Sequence, residues 1–194
     1  MIKQELYQAL DYVNHSREKR KYYSQLVLDQ PDLFPKVLSI LFQVDDPRSS
    51  RAAWIVEFVC KVDSTAILPH LDSFLKQLHT VHQDSAVRPV AKICEYLALA
   101  YYKEQLPLTQ KMLQPHHKEL IISHCFDWLI TDQKVAPKAY AMTALYLLGT
   151  EYHWVHPELY TIMEAGYHEG SAAYKARCRH MFEAIKKFKK EKGS

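Results

Sequence analysis

Glycine is scarce. Four glycines in 194 residues, against the ~7% of average usage, leave little material for phosphate-cradling loops or for a strand-rich fold with many tight turns. Neither GxGxxG nor GxxxxGK[ST] occurs, so the common nucleotide-binding turns are excluded. The Gly-x-Ser-x-Gly elbow of serine hydrolases is missing as well. Cys60, Cys94, Cys125 and Cys178 are far apart, without Cys-x-x-Cys spacing. They read as small buried hydrophobes of a reducing compartment, not as zinc or redox ligands. No stretch approaches the ~18 uninterrupted apolar residues of a membrane span. The segment Met1-Ile2-Lys3-Gln4-Glu5 is polar where a signal peptide carries an apolar core. A cytoplasmic chain with no membrane contact is expected.

Charge of one sign is also in short supply. The formal net charge is +3, of which Lys186, Lys187, Lys189, Lys190 and Lys192 with Glu191 supply +4, leaving −1 for the remainder. Dedicated nucleic-acid binders derive their affinity from clustered basic surface, and a near-neutral body does not fit that class. The lysine-rich end reads as a solvated last helical turn that frays into a tail.

What the chain does have is helical periodicity. Leu71, Phe74, Leu75 and Leu78 illustrate spacings of three and four that recur nearly throughout, placing apolar residues on one face of a helix. Pro31, Pro69, Pro115 and Pro157 each stand a few residues before such a run, where a fixed φ and a missing N–H suit a first helical turn, and each marks a helix start. Their intervals are 38, 46 and 42 residues, a period that signals stacked two-helix units. Ala53, Ala91, Ala139 and Ala176 keep nearly the same beat and mark the second helices, at spacings of 38, 48 and 37. The expected pairs are 2–28, 31–61, 67–104, 115–148 and 155–189, in one domain spanning 1–194, with Ser16 as an N-cap. Lys103 to Gln114 is expected to be a loop with a helical turn. More than 65% helix and no sheet should result.

With these features the chain resembles the HEAT repeat family, within the ARM/HEAT superfamily, over essentially its whole length. Asp84-Ser85-Ala86-Val87-Arg88 followed by Ala91 matches the family's Asp-x-x-Val-Arg turn and small-residue second helix. Asp45-Asp46-Pro47-Arg48-Ser49-Ser50-Arg51 matches with one residue of slippage. The third unit keeps Asp132 and Val135 with Ala136 in the arginine place, and the fourth has Ala173-Tyr174-Lys175. The resemblance implies an all-α, right-handed α-α superhelix, a solenoid of about five helix pairs. It also implies a non-catalytic scaffold that holds a protein or peptide partner on its concave face.

Aligned on the four alanines, the following position reads Trp54, Lys92, Tyr140 and Arg177. Three further on, it reads Glu57, Glu95, Thr143 and His180. Together with Arg88 they make the candidate binding strip: Trp54, Glu57, Arg88, Lys92, Glu95, Tyr140 and Arg177. A second reading of the same residues is structural, with Trp54 and Tyr140 packed between repeats and the glutamates paired with Arg51 and Arg88. The chain also resembles HEAT-like DNA alkylation repair glycosylases, and that likeness implies nucleic-acid binding by the same strip. Arg88, Lys92 and Arg177 would neutralise about three phosphates, where specific DNA binders commonly contact 6 to 10. Short chains similar to this one carry the label adenylosuccinate lyase. The true lyases use an SSxMPxKxN loop, and no such string occurs here. His79 with His82 and His153 with His156 have helical or turn spacing, but a third and fourth ligand are not identifiable. No metal and no cofactor is expected, and the oligomeric state is not legible.

Overall fold

The computed structural model describes residues 3–13 and 16–192, and the expected helix start at Ile2 lies outside them. Among the described residues the chain is all helical, with 81% helix and no strand. The helices are α1 (Lys3–Ala9), α2 (Arg17–Asp29), α3 (Phe34–Leu41), α4 (Pro47–Val62), α5 (Leu71–Gln77), α6 (Asp84–Tyr102), α7 (Pro107–Met112), α8 (Pro115–Ile130), α9 (Val135–Leu148), α10 (Val155–Tyr167) and α11 (Ala172–Lys192). None is long and apolar enough to cross a membrane.

Local chemistry sets most of the boundaries. Ser16 accepts a hydrogen bond from the Lys19 N–H at 3.4 Å and Asp46 one from the Arg48 N–H at 2.8 Å, capping α2 and α4. Pro47, Pro107 and Pro115 each occupy the first helical position of their helix, where no N–H is needed. Pro31 and Pro69 instead stand in short 3-10 turns that lead into α3 and α5. The expected turn within 103–114 is α7, after a left-handed Gln105 (φ 53°).

Two layers result. α2, α4, α6, α9 and α11 pack successively against one another, and α6 against α9 is the most extensive contact. On the other side α1 packs on α3, α5 on α8 and α8 on α10. Ring contacts of Phe34 with His70 (5.3 Å) and Phe42 with Phe74 (6.2 Å) join α3 to the α5 segment. Between the layers lies one core, containing Val37, Ile40, Val56, Phe74, Ile93, Leu97, Ile121 and Leu145. Ala53 and Ala91 are fully buried there, so their small size permits close helix approach. Ala139 is half-buried and Ala176 exposed, because α11 is the last helix of its layer among the described residues.

All four cysteines are reduced and buried, and burial pushes the Cys94 thiol up to about 12. They pack as apolar groups and are poor nucleophiles. His124 and His156 are buried too, each with Nε2 2.8 Å from a carbonyl, of Leu75 and Tyr146 respectively. Burial lowers the pKa of both. A base whose folded pKa is depressed contributes stability above its unfolded value of about 6.5, and that stability is lost as pH falls through the folded pKa. The melting temperature should therefore fall between about pH 7 and about pH 5, with calorimetry as the measurement. Replacing His124 by Gln, which cannot charge, should flatten that slope.

Candidate cation-lined cleft

The seven residues of the candidate strip all lie on the α4–α6–α9–α11 layer, where the structure brings Glu57 to Arg88 and Lys92 to Glu95 and Tyr140, while Trp54 and Arg177 meet residues outside the set. Glu57 on α4 is buried and accepts two hydrogen bonds from Arg88 on α6, at 2.6 and 3.3 Å. Lys92, one turn further along α6, donates to Glu95 and lies 4.4 Å from the Tyr140 ring of α9 and 5.0 Å from Tyr96. On α11, Arg177 donates to Thr143 Oγ1 and, at 3.4 Å, to the Ala139 carbonyl of α9. Each helix of the layer is thereby tied to the next by a charge-assisted or cation–π contact.

Arg88, the arginine of the Asp-x-x-Val-Arg string, binds a glutamate of the preceding unit, while Asp84 pairs with Lys134 at 3.2 Å. Arg51 pairs with Asp11 (3.1 Å), not with Glu57, and Arg48 pairs with Asp11 (2.6 Å) over the Tyr7 ring. Those contacts fasten the first helix pair to the second.

Trp54 has a structural task that follows from a proline. Pro89 sits inside α6 and has no N–H, so the Ser85 carbonyl four residues earlier has no helical donor. The Trp54 indole Nε1–H supplies one at 2.8 Å. At 8% exposure the indole is a rivet between α4 and α6, not an open platform.

Beside this rivet is a cleft of about 610 Å³ lined by residues of α2, α4 and α6. Its cations are Arg17, Arg20, Lys21, Lys61, Arg88 and Lys92, and its lining holds a single carboxylate, Glu57. The spacing explains the arrangement. Arg17, Arg20 and Lys21 share one side of α2, and Trp54, Glu57, Phe58 and Lys61 one stripe of α4. Ser85, Arg88, Lys92 and Tyr96 recur at three and four along α6. The Arg20 guanidinium lies 5.5 Å from the Trp54 ring centroid and 5.1 Å from that of Phe58. Burial, and the neighbouring charge of Arg88, lower its pKa.

Sequence reasoning missed Arg17, Arg20, Lys21, Phe58, Lys61 and Tyr96. The first three precede the earliest alanine marker, so the repeat alignment never reached them, although their own spacing was a usable signal. Chemically the cleft can hold anions: guanidinium forks suit carboxylate or phosphate oxygens. Its aromatic faces carry cations already. Among the described residues it offers no nucleophile–base pair, since its one carboxylate is occupied by Arg88. No family model, no curated protein and no solved structure matches this chain.

Proposed function

We propose that the chain is a non-catalytic binding scaffold, a HEAT-like solenoid whose α2–α4–α6 cleft receives an acidic segment of a protein partner. The observation that carries this reading is the lining of six cations with one carboxylate, in a chain whose net charge outside its last turn is near zero. Two of the six are already neutralised in place by Glu57 and Glu95. Arg17, Lys21 and Lys61 add positive charge carried on rigid helices, which suits a short acidic stretch with its carboxylates at helix or strand spacing.

Nucleic acid is the second reading, favoured by the same cations. Base stacking, which single-stranded nucleic-acid sites use, would compete in the cleft with Arg20 over Trp54 and Phe58 and with Lys92 over Tyr96, and the Trp54 indole is buried. With Arg88 and Lys92 held by Glu57 and Glu95, the cleft has fewer cations to offer duplex DNA than the 6 to 10 phosphate contacts typical of specific binders.

Fluorescence anisotropy with a labelled Glu-rich peptide, a peptide with Gln at the same positions, and a labelled 20-mer DNA duplex separates the two. The expected order is Glu-rich peptide tightest, duplex weak and lost by about 200 mM salt, Gln peptide silent. Duplex binding that persists at that salt, or excision of alkylated bases abolished by Glu57→Gln, would transfer the assignment to the nucleic-acid class.

A further inference from the structure

A second cluster lies on the opposite layer, where α5 packs beside α8. Asp72 is in the first turn of α5, and His116 and His117 open α8 immediately after Pro115. One ligand atom from each falls within 4.8 Å of the other two. The Asp72 Oδ1 is 3.4 Å from His116 Nε2 and 3.6 Å from His117 Nε2. Charge-assisted hydrogen bonds run shorter, at about 2.7–2.9 Å. Ligands on a tetrahedral zinc ion, with bonds of about 2.0–2.1 Å, stand about 3.4 Å apart along each edge. The two edges to Asp72 have that spacing, and the third, between the histidines, is within 4.8 Å.

A second, independent observation concerns His117. Its side chain is only 7% exposed, yet its Nε2 has no hydrogen-bond partner. Its Nδ1 accepts a hydrogen bond from the Gln114 N–H at 3.2 Å, which leaves the ring proton on Nε2, the atom that faces Asp72. Binding a metal through Nε2 uses the other tautomer, with the proton on Nδ1, and the Gln114 N–H then keeps the Met112 carbonyl, 3.0 Å away, as its acceptor. Lys76, 3.4 Å from Asp72 Oδ1, is the competing cation, and both members of that pair are well exposed. Displacing it therefore costs little.

We propose that Asp72, His116 and His117 form a three-ligand site for a divalent transition metal, best matched by Zn²⁺, which would clamp α5 to α8. Two imidazoles and a carboxylate suit that ion, and three protein ligands leave a fourth position for water. The site rests on none of the residues of the cation-lined cleft.

Isothermal titration of the chelator-treated protein with ZnCl₂ tests the assignment, alongside His116→Ala and Asp72→Asn. Both side chains are exposed, so neither variant endangers folding. The expected result is one saturable Zn²⁺ per chain, weakened at least about tenfold in each variant, and a zinc-dependent rise in melting temperature that the variants lose. Zinc binding left unchanged by both substitutions would place the ion on other histidines and overturn the proposal. So would the absence of any saturable heat.

Discussion

Glu151→Ala should destabilise the protein by about 3 kcal/mol, the lower end of the range for stripping one partner from a buried ion pair. Lys118 on α8 is 3% exposed in its side chain, and its Nζ donates to both Glu151 oxygens at 2.8 and 3.1 Å. Tyr102, at the end of α6, donates to Glu151 Oε2 at 2.6 Å, and the Tyr101 ring lies 3.9 Å from Nζ. The cluster joins α6, α8 and the turn between α9 and α10. Removing the carboxylate leaves a buried ammonium against tyrosine rings, with no anion in place of Glu151. The reverse change is milder. Lys118→Met keeps the volume and leaves Glu151, which is 43% exposed, free to hydrate. Urea denaturation should therefore rank Glu151→Ala well below Lys118→Met in stability. Equal losses would show that the pair acts through its attraction rather than through the desolvated lysine.

The same cluster fixes two edges of the pH range. Burial alone would raise the Glu151 pKa, but the hydrogen bonds from Lys118 and Tyr102 and the lysine charge lower it overall. Its contribution is present above the unfolded carboxylate range and is lost as pH falls through the lowered folded value. Lys118 is opposed by burial and raised overall by the Glu151 and Tyr101 contacts. Its contribution is complete below about pH 10.4 and is lost as pH rises through its elevated value.

Trp54→Phe should cost about 2 kcal/mol. The Ser85 carbonyl, already deprived of a helical donor by Pro89, would lose its indole donor; Ser85 is exposed at the cleft wall, so water replaces part of that bond and its loss counts for about 0.5–1.5 kcal/mol. A gap where the larger ring of the indole stood adds to this. The mechanism predicts a specific compensation. Pro89→Ala restores an N–H at the position that normally donates to Ser85, so in the Trp54→Phe background it should recover a good part of the loss. Alone, with the indole already on that carbonyl, it should change much less. Additivity of the two substitutions in a double-mutant cycle would sink this account of the rivet.

The helices were readable because their causes are local. Pro115 and Pro157 stand in the first turns of α8 and α10 for a reason contained in one residue, and the Leu71–Leu78 stripe states its own period. Pro31 and Pro69 were slightly misjudged, since a proline at a chain entry serves a 3-10 turn as well as an α-helix. The alanine beat located Ala53 and Ala91 in the core but met solvent at Ala176, where the described layer ends. Contacts between residues distant in sequence were the part that could not be read. Trp54 meets Ser85 across 31 positions and Lys118 meets Glu151 across 33. No local pattern encodes either partnership. Likewise a net charge near zero concealed six cations in one cleft, because a sum over the chain discards position. The histidine pairs singled out by spacing, His79 with His82 and His153 with His156, are not the ones that meet a carboxylate in the three-ligand cluster. That cluster needs α5 and α8 side by side.

Amide chemical-shift mapping of the labelled protein during titration with the Glu-rich peptide reports most directly on the cleft. The account predicts perturbations concentrated at Arg17–Lys21, Trp54–Lys61 and Ser85–Tyr96, saturating together and abolished by Arg20→Glu with Lys61→Glu. The lysine-rich end of α11 is the natural competitor for an acidic ligand. Shifts confined to residues 186–192, with α2, α4 and α6 unmoved, would contradict the assignment of the cleft as the binding site.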